Sequence, residues 1–322
     1  MNARRNRQFI AIVAAFALLG AACSPQQAPL TAPAPVSGPI KAAPVVQPPA
    51  IQQPAAPAAA QLDVMGTLDK TLFGLPEGWA VVQPKALSEQ LQAAPPMLID
   101  LREPAEVEKG YIAGAVHIPL RTLADSLNTL PADKGTAIVL YCGSGHRSAM
   151  GLMTLRSFGY TNVKSMAGGT NNWTKEGLPL ATEPAIPAAT AQATPGQFDP
   201  QLVAAFSSYL KGIPEGWAVV QPKALEEQMA ATRPFLLDVR EPSETAKGVI
   251  EGAVTIPLRG LAQNMERLPA DKATPIVVYC GSGHRSAMAM ETLRMAGYTN
   301  VKSLAGGTGN WTGSGLPLVG GA

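Results

Sequence analysis

Two cysteines sit in stretches that are the same letter for letter: Tyr141-Cys142-Gly143-Ser144-Gly145-His146-Arg147-Ser148-Ala149-Met150 recurs as Tyr279 to Met288 around Cys280. The chemistry such a stretch can do is nucleophilic. Ala137 to Tyr141 is a short apolar, β-branched run of strand length, and from Ser148 onward Ala149, Leu152 and Met153 fall at helical spacing. Cys142 and Cys280 are therefore expected at strand-to-helix turns. Gly143 and Gly145, with Gly281 and Gly283 in the repeat, allow positive-φ backbone, so successive N–H groups can turn inward around the sulfur. Inward amides and a following helix N-terminus favour the thiolate, which is the nucleophile.

The elements that must position these loops recur with them. Pro76 to Leu87 returns as Pro214 to Leu225, Cys142 as Cys280 and Trp173 as Trp311, always 138 positions on. Within a copy, Pro84 opens a helix, Met97 to Asp100 is a strand, Pro104 to Lys109 a short helix and Ala115 to Ile118 a strand. Thr122 to Leu130, the strand into Tyr141, the helix from Ser148 and Asn162 to Ser165 follow. Strands alternating with helices predict an α/β fold, a mostly parallel sheet flanked by helices, once in each copy.

The set Cys-x-x-Gly-x-Arg-Ser after a strand, with Asp100-x-Arg102-Glu103 upstream and Ala167-Gly168-Gly169 downstream, resembles a rhodanese domain. Asp238-Val239-Arg240-Glu241 and Ala305-Gly306-Gly307 complete the second copy, and the resemblance spans about three quarters of the chain. It implies two rhodanese-like α/β domains and sulfur transfer through a cysteine persulfide, with Cys142 and Cys280 catalytic. The implied active loops are Gly143, Ser144, Gly145, His146 and Arg147, and Gly281, Ser282, Gly283, His284 and Arg285. The implied partners are a small sulfur-containing anion such as thiosulfate as donor and cyanide or a thiol as acceptor, with no metal and no organic cofactor. Cysteine-dependent phosphatases resemble this pattern less, because they carry five residues between cysteine and arginine and here there are four. A non-enzymatic persulfide carrier or redox-sensing module needs the same thiolate and stays open beside the enzyme. In tandem rhodaneses of the familiar two-domain type only the second domain keeps its cysteine, so this chain looks more like two single-domain sulfurtransferases joined by duplication.

Individual side chains carry two readings each. Arg147 and Arg285 either attract an anionic donor or bond loop carbonyls. His146 and His284 are expected to point to solvent. Asp100, Arg102, Asp238 and Arg240 are expected to support the loops by hydrogen bonds. Trp173, Trp311, Met150 and Met153 read as core. The equivalent of His117 is Thr255, and that of Glu108 is Ala246.

Domain organisation follows from composition. Arg4, Arg5 and Arg7 precede an uncharged run from Gln8 to Ala22, the pattern of a signal peptide over 1–22. Its end at Cys23 resembles a lipoprotein signal that would lipidate Cys23 and tie the chain to a membrane, facing the periplasm or cell exterior. Gly20 stands where leucine is usual, and Gly20 with Ala22 also fits an ordinary cleavage site, so both readings stand. Residues 23–60 hold ten prolines and a single charge, a tether that builds no core. The copies are expected at 61–181 and 196–322, with a linker over 182–195 that leaves their relative placement open.

The formal charge of +2 falls to about −1 without 1–22, and no basic run follows, so nucleic-acid binding has no support. Of three cysteines, one lies at the signal boundary and two in equivalent loops, which leaves none for an ordinary structural disulfide. Neither a Cys-x-x-Cys pair nor a second ligand cluster beside Cys142 and His146 supports thiol-disulfide exchange or zinc.

Overall fold

Ile138–Tyr141 is buried along its whole length, as a strand covered on both faces must be, and it lies at the centre of a parallel sheet. The computed structural model describes residues 63–184, 186–189 and 198–320. The expected signal peptide, the tether and Cys23 lie outside the described residues. Among those described, no helix is long and apolar enough to cross a membrane.

The first copy runs α1 (Val64–Phe73), β1 (Val81–Val82), α2 (Pro84–Ala93), β2 (Met97–Asp100), α3 (Pro104–Val107), β3 (Ala115–His117), β4 (Ile138–Tyr141), α4 (His146–Ser157), β5 (Val163–Met166) and α5 (Gly169–Lys175). The second repeats it as α6 (Pro200–Gly212), β6 (Val219–Val220), α7 (Pro222–Ala231), β7 (Phe235–Asp238), α8 (Pro242–Thr245), β8 (Val254–Thr255), β9 (Ile276–Tyr279), α9 (His284–Met295), β10 (Val301–Leu304) and α10 (Gly307–Gly313). Each sheet has five strands, in the orders β1-β5-β4-β2-β3 and β6-β10-β9-β7-β8, and every pairing is parallel. The register sets Asp100 beside Tyr141, so the loop after β4 and the turn after β2 meet at the carboxyl ends of neighbouring strands. Thr122 to Leu130 is mostly 3-10 turn, Leu120–Thr122 and then Ala124–Thr129.

The two copies are not side by side with separate cores. Asp63 caps α1 by accepting from the Gly66 N–H at 2.6 Å, and Asp199 caps α6 through the N–H groups of Gln201 and Leu202. Helix α6 packs on α9 of its own copy and reaches over to the 3-10 turns Leu120–Thr122 and Ala124–Thr129 of the first, while α1 packs on α4 of its own copy and reaches over to Leu258–Gly260 and Ala262–Arg267 of the second. Each of these two helices has its last carbonyls held by an arginine of the opposite copy. Arg121 donates to the carbonyls of Lys211 at 3.0 Å and Ile213 at 2.7 Å, and Arg259 donates to those of Phe73, Leu75 and Pro76.

Between them α4 and α9, the helices that follow the two cysteines, pack directly on one another. Leu68, Leu72, Met150, Phe206, Leu210 and Met288 accordingly belong to one apolar cluster that runs through both copies. Burying each such side chain is worth roughly 1.5–3 kcal/mol, and this part of the burial is shared between the two copies. A smaller core on the far face of each sheet, around Trp173 and around Trp311, belongs to one copy alone.

The segment expected as a free linker is partly laid down. The His117 N–H donates to the Pro187 carbonyl at 2.9 Å, Ala188 bridges His117, and Ile186 packs on the first copy's smaller core. The reason is that β3 is an edge strand, and chain laid along it satisfies its open backbone groups.

Candidate active site

Cys142 follows β4 and is wholly buried, and the loop it opens is short because α4 begins at His146, two residues before the start expected at Ser148. Gly145 is the N-cap residue, in the left-handed conformation at φ 87°, while Gly143 does not need positive φ. The Gly145 N–H donates to Cys142 Sγ at 3.2 Å; in the second copy Gly283, at φ 91°, donates to Cys280 Sγ at 3.1 Å. Both cysteines are free thiols. Ser148 Oγ lies 3.8 Å from the sulfur and 2.8 Å from Ser165 Oγ, and Ser286 and Ser303 repeat the relay at 3.7 and 2.8 Å. Sequence reasoning missed these serines, although Ser148 lies inside the repeated stretch.

A second loop locks the first. The Thr170 N–H donates to the Cys142 carbonyl at 2.7 Å and the Asn171 N–H to that of Gly143 at 3.0 Å. The approach is so close that a Cβ on Gly169 would stand 2.1 Å from the Cys142 carbonyl oxygen, and Gly307 is in the same position against Cys280. This is the physical content of Ala167-Gly168-Gly169.

Of the two readings, the loop-carbonyl one is not what the geometry shows: among the described residues Arg147 bonds a carboxylate, and its charge lies beside the Cys142 sulfur. Its guanidinium is held by Glu106 through two hydrogen bonds of 2.5 and 2.6 Å, and Arg285 is held by Glu244 at the same distances. Burial opposes the charge of Arg147, but Glu106 and the Cys142 sulfur keep its pKa above the ordinary value. Burial likewise works against the Glu106 carboxylate, and Arg147 with the Glu103 N–H holds it below the usual range. Glu106 and Glu244 were missed by sequence reasoning. The signal for them is the capping box of α3 and α8, where Glu103 and Glu106, and Glu241 and Glu244, reciprocally bond.

Asp100 and Arg102 reach the cysteine loop only at one remove. Asp100 grips Arg102 at 2.6 to 3.0 Å, and Arg102 in turn donates to the carbonyls of Gly110 at 2.7 Å and Glu106 at 3.2 Å. The pair thus fixes α3, which aims Glu106 at Arg147. Asp238 and Arg240 do the same through Gly248 and Glu244. The two copies differ at His117, whose Nε2 lies 2.8 Å from the Arg102 carbonyl, where the second copy has Thr255.

His146 and His284 do not point to solvent. Both ring nitrogens of each are covered and without a hydrogen-bond partner. Burial first, and the neighbouring arginine second, push His146 down to about 4 and His284 to about 3, with the charge of His146 adding to the shift of His284. Both are neutral at pH 7. Ser144 and Ser282 are the exposed residues of the loops. Among the described residues no group of three or more His, Cys, Asp or Glu is placed to hold a metal ion.

The model of the rhodanese-like domain matches residues 83–176 and 221–314, more than half of the chain. A sulfurtransferase of Allochromatium vinosum is 37% identical over 101 residues, 31% of this chain and 92% of that protein. The thiosulfate sulfurtransferase PspE of Escherichia coli is 31% identical over 70 residues, 22% of this chain and 67% of that protein. A Synechocystis protein is 38% identical over 98 residues, and the chain spans 54% of its length. Among solved structures, a thiosulfate sulfurtransferase from Pseudomonas aeruginosa is similar over 79% of this chain and 70% of its own, at 19% identity and TM-score 0.35, too loose a likeness to bear on the site.

Proposed function

Because the chain belongs to the rhodanese-like domain family, whose named relatives above are sulfurtransferases, we propose that it moves a sulfane sulfur from a donor such as thiosulfate to cyanide or a thiol at both Cys142 and Cys280. The observation that carries this reading is the loop amide aimed at each sulfur, 3.2 Å in one copy and 3.1 Å in the other, in a loop followed by an arginine ion-paired with glutamate. Membership of the family implies that a loop of this length suits a sulfur atom.

In the first step the Cys142 thiolate attacks the outer sulfur of thiosulfate. A cysteine-to-sulfur bond forms, the bond between the two sulfurs of the donor breaks, and its electron pair leaves with sulfite. In the second step cyanide attacks the outer sulfur of the persulfide, thiocyanate departs and the electron pair returns to the cysteine as thiolate. No proton has to move. The Gly145 N–H and the N-terminus of α4 stabilise the charge on sulfur in both steps, and Ser148 and Ser165 brace the loop from within. Since Glu106 already occupies the Arg147 fork, a phosphate would find no free bidentate partner there, which speaks against phosphatase chemistry.

The second reading, a persulfide carrier or redox-sensing module, is favoured by the complete burial of both sulfurs, which slows exchange with small acceptors. Turnover separates the two. Thiosulfate is expected to add one sulfur atom at each of Cys142 and Cys280 in the intact mass, and cyanide to remove it repeatedly as thiocyanate. Loading without repeated turnover would leave the carrier as the better account, and no loading would sink both.

We also propose export and lipid anchoring through Cys23, on the charge and apolar pattern of 1–22. Incorporation of labelled fatty acid, lost in Cys23→Ser, is the expected result; equal labelling of the variant would contradict the anchor.

A further inference from the structure

The face of Arg147 that Glu106 does not hold is covered by a side chain from the other copy. The Trp217 ring lies with its centroid 4.8 Å from the Arg147 guanidinium carbon and 4.6 Å from that of Arg121, so one indole meets two arginines of the first copy. Trp79 stands in the same relation to the second copy, 5.1 Å from Arg285 and 4.5 Å from Arg259. Both contacts are cation–π in kind.

The backbone that delivers each indole is strained. Gly78, Trp79 and Ala80 stand at φ 72°, 60° and 54°, and Gly216, Trp217 and Ala218 at 72°, 61° and 52°, so two non-glycine residues in succession occupy the left-handed region in each copy. Such residues cost on the order of 1–3 kcal/mol each and persist where their surroundings over-determine them. Here part of those surroundings belongs to the opposite copy. Arg121 holds the Ile213 carbonyl just before the turn that carries Trp217, and Arg259 holds those of Leu75 and Pro76 before Trp79. The half-buried Trp217 then lines a cleft with Glu103, Arg121, Glu215 and Gly216, beside the helix that carries Glu106.

We propose that the two sites complete each other: Trp217 of the second copy is a positioning residue for Cys142, and Trp79 of the first copy is a positioning residue for Cys280, each pinning the opposite loop arginine in its fork with glutamate. The reach of α1 and α6 over to the opposite copy is what makes this geometry possible, because each helix leads straight into the turn that bears the indole. An arginine fixed between an indole face and a carboxylate keeps its charge at a set place beside the sulfur, to which the Gly145 N–H also donates. The consequence is that the site carrying Cys142 and the tryptophan that serves it are encoded in different copies.

The test uses the full chain with one cysteine removed at a time, and its turnover arm rests on the sulfurtransferase reading. With Cys280→Ser only Cys142 is left to work. In that background Trp217→Ala is expected to lower kcat/KM for thiosulfate at least fivefold more than Trp79→Ala does, in line with a cation–π contact of about 1 kcal/mol. With Cys142→Ser the order reverses. Trp→Phe, which keeps an aromatic face, recovers most of the loss.

A second readout needs no turnover: the ratio of alkylation rates by anionic iodoacetate and neutral iodoacetamide at the remaining loop cysteine, read by peptide mass so that Cys23 does not contribute. Trp217→Ala should shift that ratio at Cys142 more than at Cys280, and Trp79→Ala the reverse. Equal effects at both cysteines, or effects that follow the tryptophan's own copy, would overturn the proposal. A crossed alkylation pattern without turnover in any form would uphold it while removing the enzyme reading.

Discussion

The two copies match where chemistry is done and diverge where they touch. Cys142 and Cys280 share the loop hydrogen bonds, from the glycine amide at 3.2 and 3.1 Å to the bidentate glutamate at 2.5 and 2.6 Å in both. In the core between them the repeat has broken. Glu291 lies where the first copy has Met153, wholly buried, with Oε1 accepting from Thr154 at 3.2 Å and Oε2 unpartnered. Tyr209, with its hydroxyl 3.3 Å from Met150 Sδ, lies where the first copy has Thr71. The active loops sit at strand ends where a displaced amide spoils the sulfur's surroundings, whereas a seam between two similar halves has room to become asymmetric. What the difference teaches is that duplication kept two sites and made one core.

Acid should weaken both loops together, which tests how alike they are. An unfolded histidine titrates near 6.5, but burial holds His146 near 4 and His284 near 3, so as pH falls below 6.5 the unfolded chain binds protons that the fold does not. Stability is full above about pH 6.5 and declines toward pH 4, by on the order of 1–2 kcal/mol for each histidine by pH 5. Urea unfolding at pH 7.5 and 5 measures it. The double variant His146→Leu, His284→Leu should lose less stability over that interval than the parent chain, and an unchanged slope would contradict burial as the cause.

Cutting one glutamate sharpens the comparison by damaging a single site. Glu106→Ala leaves the Arg147 guanidinium, whose side chain is 7% exposed, without its fork partner. Because Glu106 itself is more than a third exposed, the lower end of the range for broken buried pairs applies, about 2 kcal/mol. Turnover of the Cys142 site should fall while the Cys280 site, read in a Cys142→Ser background with Glu106→Ala, is affected less. Equal loss at both sites would mean that the copies fail as one unit.

The smallest effect restores the lost repeat. Burial raises the Glu291 carboxyl well above its ordinary value, so the fold holds a proton that the unfolded chain releases above about pH 4.5, and its cost to stability grows as pH rises. Glu291→Met, the residue found in the first copy, is expected to stabilise the protein by about 1 kcal/mol at pH 8 and by less at pH 5. A lower Tm at pH 8 would show that the carboxyl contributes a contact the geometry does not reveal.

Much of this was legible in the amino-acid order. Met97–Asp100 and Ile138–Tyr141 read as strands because a central parallel strand is apolar on both faces, and the repeat fixed where each motif had to return. Strands β1 and β6, of two residues each, carry too little pattern to be seen. The start of α4 was misplaced because a left-handed glycine, rather than a capping side chain, precedes it. Glu106 was hidden because its partner is 41 positions away, and the periodicity of α6 shows an apolar face without showing which copy will cover it. Trp79 and Trp217 went unnoticed for the same reason. Their partners lie across the seam.

The most direct test of the central claim, two working sites in one shared fold, is steady-state thiocyanate formation from thiosulfate and cyanide by the full chain, Cys142→Ser, Cys280→Ser and the double variant. Both single variants are predicted to keep turning over and only the double to fall to the uncatalysed rate. Loss of all turnover in one single variant would contradict the claim, because the other loop, for all its matching geometry, would then not be a site.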